Sequence, residues 1–530
     1  MKKTISLFLS FLMLLSVFVP LSAFAKTDSG KCGENAYYEL KDGVLTISGT
    51  GEVTSKPWLD SFRDKIIKAD VDEGITKLPF HCFEKCKSLM EAYLPESLIG
   101  ISSGAFINCE NLEKADLPSG IDYIGSSAFY NCVSLKKISL PKNVKKIYTS
   151  AFRNCKSATG KIKIPRDAFV NTWAFRNCDK ISEVIFENGF HIDTEKYGKE
   201  WHSDEDECFM DCDGLKSVKI PGSFKLIPLG YFNNCKALDN VQISEGVETI
   251  AGFTNCISLK KIVLPKSVKV IEGGAFCGCK KLTSVKIQSK LDEIAPRAFH
   301  NCPSLTVVLP YGVDKLYDTS MGYTQKKGSN QYKKIKNFKI YGKKCKVLTD
   351  YCKENGFKFI DMYDVKNATA TMKSQTYNGS AKKPSVTVKL AGITLKKDTD
   401  YTVKYSNNTK VGTAKVTLTG IGKYKGTLEK TFKINPKPTE LTKLTPKSKS
   451  FKAYWKKNKS QTSGYQIQYS VYKSFKNAKK VTVKGYKTGA KTIKDLKSKK
   501  KYFVRVRAYK VVDGKKYYSK WSNSKTVKTK

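Results

Sequence analysis

Histidine is nearly absent from this 530-residue chain, which has four: His81, His191, His202 and His300. Arginine is scarce at seven, and acidic residues number 48 against 95 basic ones. No Gly-rich phosphate loop, nucleophile elbow, zincin helix or Cys-x-x-Cys pair occurs. These absences exclude the common phosphoryl-transfer, α/β-hydrolase, zincin and zinc-ribbon classes. After Leu21 no stretch stays apolar for the roughly 18 residues that a bilayer span requires. His81 and His300 flank repeat positions and read as structural or surface residues. His191 and His202 fall in an acidic segment with Asp204, Glu205, Asp206, Glu207 and Cys208. Such carboxylates could hold a hard cation, yet the run lacks the alternating spacing of a calcium loop and reads as solvated. No metal, cofactor or catalytic residue is therefore assigned.

What the chain does have is a repeat. Phe-x-x-Cys occurs ten times, ending at Cys86, Cys109, Cys132, Cys155, Cys178, Cys212, Cys235, Cys256, Cys279 and Cys302. Seven of the nine gaps are 23 residues; the other two are 34 and 21. A fixed period in this range specifies a solenoid, in which each coil buries its apolar side chains on its neighbours. One unit runs Leu135-Lys-Lys-Ile138-Ser-Leu140-Pro141, then Val144, Ile147, Ala151-Phe152 and Cys155. Ile138 and Leu140 alternate with Ser139, as a short half-buried strand requires. Pro141 ends the strand because it has no N–H for the next rung. Phe and Cys are expected to stack on themselves from coil to coil.

These residues resemble the BspA-type leucine-rich repeats of bacterial surface proteins, with the likeness covering roughly residues 27–364. The stretch from Cys32 through Gly51 is similar to the hairpin that caps the start of such arrays. Ile340 through Ile360 looks like a helix-and-strand end cap. The pattern departs at residues 187–207, an acidic insertion, and at 311–335, where the period is lost. The resemblance implies an adhesive role, binding host or microbial glycoproteins or matrix proteins.

Residues 1–25 combine Lys2-Lys3, an apolar run from Ile5 to Leu21 and Ala23-Phe24-Ala25, which predicts a secretory signal cut before Lys26. The mature chain is then secreted or held at the cell surface. Sixteen cysteines in an exported protein would ordinarily suggest disulfides. The register argues otherwise, because ten of them fill an inward slot where a small apolar group suffices. Neighbouring coils place these sulfurs about 4.8 Å apart, so bridging is geometrically open. Cys345 and Cys352 are expected on one helix, about 10.5 Å apart. Cys32, Cys82, Cys208 and Cys277 have no evident activating partner.

The period stops near Val365. Residues 365–435 alternate as strands, in a pattern similar to a small all-β, immunoglobulin-like module of bacterial surface proteins whose topology stays open as sandwich or grasp. Asn435-Pro-Lys-Pro438 reads as a stiff linker. Residues 439–530 resemble a fibronectin type III domain. Trp455 lies on an early strand, Tyr465 to Tyr469 on a central one, Leu496 and Tyr502 at a corner, and Ser519-Lys-Trp521-Ser522 on the last strand. The expected organisation is mainly β. It comprises a signal at 1–25, a cap and first repeat at 26–85, a solenoid of about ten 23-residue coils at 86–335, an end cap at 336–364, and two β domains at 365–435 and 436–530. The last span carries 29 basic against 3 acidic residues, a net +26. That charge suits an anionic cell-wall polymer or acidic glycan, or simple solubility. Nucleic acid fits poorly, given export, few arginines and no recognised nucleic-acid module.

A binding face can be nominated from the register. The outward strand residue changes chemistry along the array as Tyr93, Asp116, Ser139, Lys163, Ile185, Lys219, Gln242, Val263 and Lys286. A row of variable side chains on a rigid frame, roughly 40 Å long at the strand spacing, is how solenoids recognise macromolecules. The leading expectation is a non-enzymatic exported binding protein. Two alternatives remain: an envelope-associated structural protein held by its lysine-rich end, and a secreted hydrolase or carbohydrate-targeting accessory protein.

Overall fold

The computed structural model describes residues 28–190, 207–325 and 331–530. The expected signal, most of the acidic insertion and both of its histidines lie outside the described residues. Two compact units divide the chain: Met1–Ile340 with Lys344–Phe359, and Tyr341–Lys343 with Ile360–Lys530.

The first unit opens with an antiparallel hairpin, Gly33–Lys41 against Val44–Val53, closed by a two-residue Asp-Gly turn. Asp42 (φ 49°) and Gly43 (φ 81°) both sit in the left-handed region, which this turn type demands. Val44–Val53 then pairs in parallel with Lys68–Val71, so the hairpin hands over directly to the coils. Trp58 lies buried beneath it, donates Nε1–H to the Cys82 carbonyl (2.8 Å) and stacks on Phe83.

Most coils contribute rungs to two parallel ladders and one tight turn. The first ladder includes Lys68–Val71, Glu91–Tyr93, Lys114–Ala115, Gly160–Ile164, Ile181–Phe186, Ser217–Ile220 and Asn240–Ile243. The second runs through short strands such as Gly100–Ile101, Tyr123–Ile124 and Lys146–Ile147. Cap strands continue the stack at both ends, so it reaches about thirteen turns rather than the ten Phe-x-x-Cys coils alone.

The turns carry the repeat signature. Ten phenylalanines from Phe83 to Phe299 form one continuous column, with successive centroids 5.1–5.7 Å apart and planes within 14° of parallel. Such offset stacking adds about 0.5–1.5 kcal/mol per pair beyond burial. The cysteines do more than fill space. From Cys109 to Cys302, each thiol donates to the carbonyl of the phenylalanine one coil back, at 2.9–3.3 Å. That carbonyl already accepts the N–H of its own coil's cysteine, as Phe83 does from Cys86 (3.1 Å). The thiol uses the second lone pair. In the other direction, Phe106, Phe129 and Phe152 each donate N–H to an alanine carbonyl of the next coil, at 2.7 Å.

A third column went unread in the sequence. Asn108, Asn131, Asn154, Asn177, Asn234, Asn255 and Asn301 all precede the repeat cysteine with φ of 55–65°. Asparagine tolerates this left-handed conformation better than most residues. Several also bond along the column, as Asn177 Nδ2 does to Asn154 Oδ1 (2.8 Å).

Both irregular periods have physical consequences. At the 34-residue gap, Phe186, Phe190, Phe224 and Tyr231 pack around one another and against Phe209, so the described ends of the insertion are anchored in an aromatic cluster. At the 21-residue gap the first ladder breaks, because Asn240–Ile243 and Lys261–Val263 belong to separate sheets. The far end closes with helix Lys346–Asn355, which buries Leu348 and Tyr351 and stops at Gly356 (φ 66°). Tyr351 donates its hydroxyl to the Met321 carbonyl (2.7 Å). Cys345 is the extended residue capping this helix, not a residue on it. The notion of two cysteines spaced along one helix is thereby corrected.

In the second unit, residues 365–435 form two sheets. Thr369–Thr371, Thr387–Leu390 and Ile393–Thr394 make one; Gln375–Thr376, Thr427–Asn435, Gly412–Gly420 and Tyr401–Ser406 make the other. They enclose Val388, Leu390, Val416 and Leu418, a sandwich arrangement. Residues 439–530 form a second pair of sheets around Phe451, Trp455, Tyr465 and Val504. The Tyr502 hydroxyl accepts the Lys497 N–H (3.1 Å) beside buried Leu496, which ties the corner. One expectation fails here, because Trp521 lies outside the last strand, which is Lys525–Lys528. Ser519 and Ser522 donate their backbone N–H groups to the Ala508 and Val506 carbonyls (2.9 and 2.8 Å). Their side chains stand in for the returning ladder bonds, accepting the N–H groups of Ala508 (3.0 Å) and Val506 (3.1 Å).

If the column sets stability, Phe152→Ala at its middle should cost about 3–5 kcal/mol. Cys155→Ala should cost about 1–2 kcal/mol, from a smaller cavity and a lost thiol bond. Urea denaturation followed by circular dichroism reads both.

Candidate binding face

The alternation along each first-ladder strand decides which side chains face water. Ile162 and Ile164, Val218 and Ile220, and Ile262 and Leu264 point inward and are buried. The residue between each pair points out. Tyr93, Asp116, Ser139, Lys163, Lys219, Gln242, Val263 and Lys286 are exposed, and Ile185 is half-buried. The register aligns them across the ladder: Lys163 opposes Ile185, Ile185 opposes Lys219, Lys219 opposes Gln242, and Val263 opposes Lys286. Six of the nine nominated residues therefore stand in register, in two ladder segments, Lys163 to Gln242 and Val263 to Lys286. Backbone pairing is interrupted at residues 137–139 and again between Gln242 and Val263.

The face has two chemically different halves. Toward its start, Tyr93 lies between the ammonium groups of Lys68 (4.4 Å) and Lys114 (4.9 Å). Those lysines also pair with Asp70 (2.9 Å) and Asp116 (3.5 Å). Ile67 and Met90, just before these strands, are 38% and 45% exposed. Beyond Glu183, which Lys161 neutralises at 2.7 Å, the outward residues are Lys219, Gln242, Lys261, Val263 and Lys286 with no acid among them. At the ladder break a hollow of about 320 Å³ opens, lined by Gln242, Glu245, Val263 and Gln288. Glu245 accepts the N–H groups of Lys266 (3.0 Å) and Ser267 (3.1 Å), which hold its carboxyl below the usual range. The hollow was not read from sequence, although the 21-residue gap marks its position.

The reactive side chains are placed structurally. His81 Nδ1 lies 3.0 Å from the Glu84 carboxylate. His300 is fully buried, 3.9 Å from Cys277 Sγ, a neighbour the sequence did not reveal. Burial, and secondarily Arg297, lowers the His300 pKa and keeps the ring neutral. Burial also raises the Cys277 thiol, so the pair is not an activated nucleophile. Glu207 is held by Trp173 (3.1 Å) and Arg176. Among the described residues no group of three or more His, Cys, Asp or Glu is placed to hold a metal. Nor, among them, is any helix long and apolar enough to cross a membrane.

Residues 62–182 and 202–327 match the family described as BspA type Leucine rich repeat region, in six copies. The coils between residues 62 and 327 are thus similar to that repeat family. No curated protein matches the chain. Among solved structures, a leucine rich cell surface protein from Faecalibacterium prausnitzii is 20% identical, covering 56% of this chain and 97% of its own, at a TM-score of 0.30. The pneumococcal vaccine antigen PcpA is 18% identical over 64% of this chain and 98% of its own, at 0.35. The FN1–FN3 domains of chicken CNTN1 are 20% identical over 23% of this chain and 42% of theirs, at 0.16.

Burial pushes the repeat thiols upward, Cys86, Cys212 and Cys279 to about 12. A raised folded-state pKa means the native chain holds protons that the unfolded chain releases above its ordinary thiol value near 9.0. The stability this carries is complete below pH 9 and is lost as pH climbs towards 12. The unfolding midpoint should accordingly fall between pH 9 and 11, and less steeply in a variant with Cys132, Cys155 and Cys178 replaced by Ala. In native protein at pH 8, alkylation should reach half-buried Cys277 and Cys345 before any repeat cysteine, as peptide mapping would show.

Proposed function

We propose that this is an exported, non-enzymatic bacterial binding protein whose first-ladder face holds macromolecular partners, host or microbial glycoproteins or matrix proteins. The observation that carries the reading is the face itself. Nine outward positions vary from coil to coil while the residues on either side of them repeat. Variation confined to one exposed row is what a recognition surface needs, because the frame stays fixed while the contacts change. Exposed Tyr93, on the face itself, is the kind of aromatic anchor in which such surfaces concentrate their binding energy.

A shallow face whose contacts vary from coil to coil favours adhesion over hydrolysis. Two carboxylates converging in a closed pocket would be the mark of a glycosidase. The one carboxylate lining the face hollow, Glu245, is already occupied by two backbone N–H groups.

Capture of the full chain on immobilised fibronectin, collagen and mucin tests the reading. A variant carrying Tyr93→Ala, Lys219→Ala and Val263→Asp should lose at least about tenfold in affinity for whichever ligand binds, roughly 1.4 kcal/mol. Asp122→Ala with Lys146→Ala, on the second ladder, should change it little. Equal loss from both sets, or loss from neither, would remove the first-ladder face as the site.

A further inference from the structure

The second unit holds a feature that the strand face does not explain. A cleft of about 720 Å³ opens where the two β modules meet. Lys437, Lys456, Lys457 and Lys459 line it, against a single acid, Glu440. All four lysines are exposed. Among the described residues, no ion pair forms anywhere in 436–530, so none of the four is neutralised by a neighbour.

The walls are held by specific bonds. Asn458 donates its side-chain amide to the Lys437 carbonyl (2.7 Å) and its backbone N–H to the Tyr465 hydroxyl (2.7 Å). Thr439 bonds the Lys456 carbonyl, and Ser460 donates to the Tyr377 hydroxyl (3.2 Å) across the cleft. Thr413 and Tyr517 add a hydroxyl pair (2.6 Å) between the modules. The linker that carries Lys437 is thus fastened to the loop that carries Lys456, Lys457 and Lys459. Four like charges gathered round a fixed cleft repel one another, a cost that a bound anion removes.

We propose that this cleft binds a linear polyanion, a sugar or polyol polymer with one phosphate or sulfate ester per repeat. Lysine suits that ligand, because it is a flexible point charge that meets successive esters without fixed geometry. A polynucleotide is disfavoured because base stacking needs exposed aromatic faces. The cleft has one aromatic residue, Tyr377, which is half-buried with its hydroxyl engaged. The two arginines of this region are not available either. Arg505 and Arg507 bond Gln468 (2.7 Å) and Gln466 (3.0 Å) and interleave with Phe475, Tyr518 and Trp521.

The test titrates the full chain with a poly(glycerol phosphate) oligomer, a chondroitin sulfate oligosaccharide and a single-stranded DNA of equal charge, each at several salt concentrations. Lys437→Gln, Lys456→Gln, Lys457→Gln and Lys459→Gln together should weaken binding of the glycerol phosphate or the sulfate polymer by at least about tenfold. The salt slope should fall by roughly 0.7 per lysine removed. A control of equal charge change, Lys479→Gln, Lys480→Gln, Lys525→Gln and Lys528→Gln, should cost less than about threefold, since these lysines lie away from the cleft. The four cleft lysines replaced by arginine should retain binding, which separates charge from folding. Which polymer binds more tightly assigns the source, envelope phosphate or host sulfate. Equal loss from both glutamine sets, no binding of either polymer, or tighter binding of the DNA would each overturn the proposal. Tyr93→Ala should leave this binding unchanged, so its outcome is independent of the strand face.

Discussion

The stitch between one coil's phenylalanine and the next coil's cysteine is the interaction on which the solenoid depends. Each phenylalanine carbonyl has two lone pairs, one taken within its turn and one by a thiol from the next coil. The turn carries no β ladder; its backbone groups bond within the turn and from coil to coil, as Phe106 N–H does to the Ala128 carbonyl, and the thiol adds a further bond between coils. A hydrogen bond of this kind contributes about 0.5–1.5 kcal/mol net. Repeated nine times from Phe83 to Phe276, the thiol bond turns a row of loops into a third bonded surface. The aromatic column above it then stacks at a nearly constant spacing.

A regular turn fixes the pitch, and the pitch fixes the spacing of the outward row. With coils locked at their turns, the first-ladder strands stay in register even where they are two or three residues long. The outward residues are thereby relieved of any structural duty and free to vary. The two places where the period changes are also where the surface changes. One carries an insertion anchored by an aromatic cluster, and the other opens the hollow beside Val263.

Much of this was legible in the sequence for one reason: the solenoid's contacts lie one period apart, so periodicity is contact. The strand alternation, the phenylalanine column and the outward row all follow from that. The thiol bonds did not, because treating cysteine as a small apolar filler accounts for its burial but hides its donor. The asparagine column was equally visible, standing before seven of the ten repeat cysteines, but its meaning lies in a positive φ that no hydropathy pattern encodes. Trp521 was misplaced because serine side chains that stand in for ladder bonds look like strand residues in sequence. The Cys277–His300 neighbour pair and the lysine cleft depend on which residues adjoin across coils or modules, information that composition supplies only as a charge excess.

Native-state hydrogen exchange of the full chain, resolved along the sequence, tests the stitch most directly. The account predicts that amides of the turns from Phe83 to Phe299 are as slow to exchange as those of the first-ladder strands. Replacing Cys155 by Ala should speed exchange at Phe129 and Phe152 and in the turns around them. Turns that exchange as fast as exposed loops, or a Cys155→Ala chain with an unchanged profile, would contradict it.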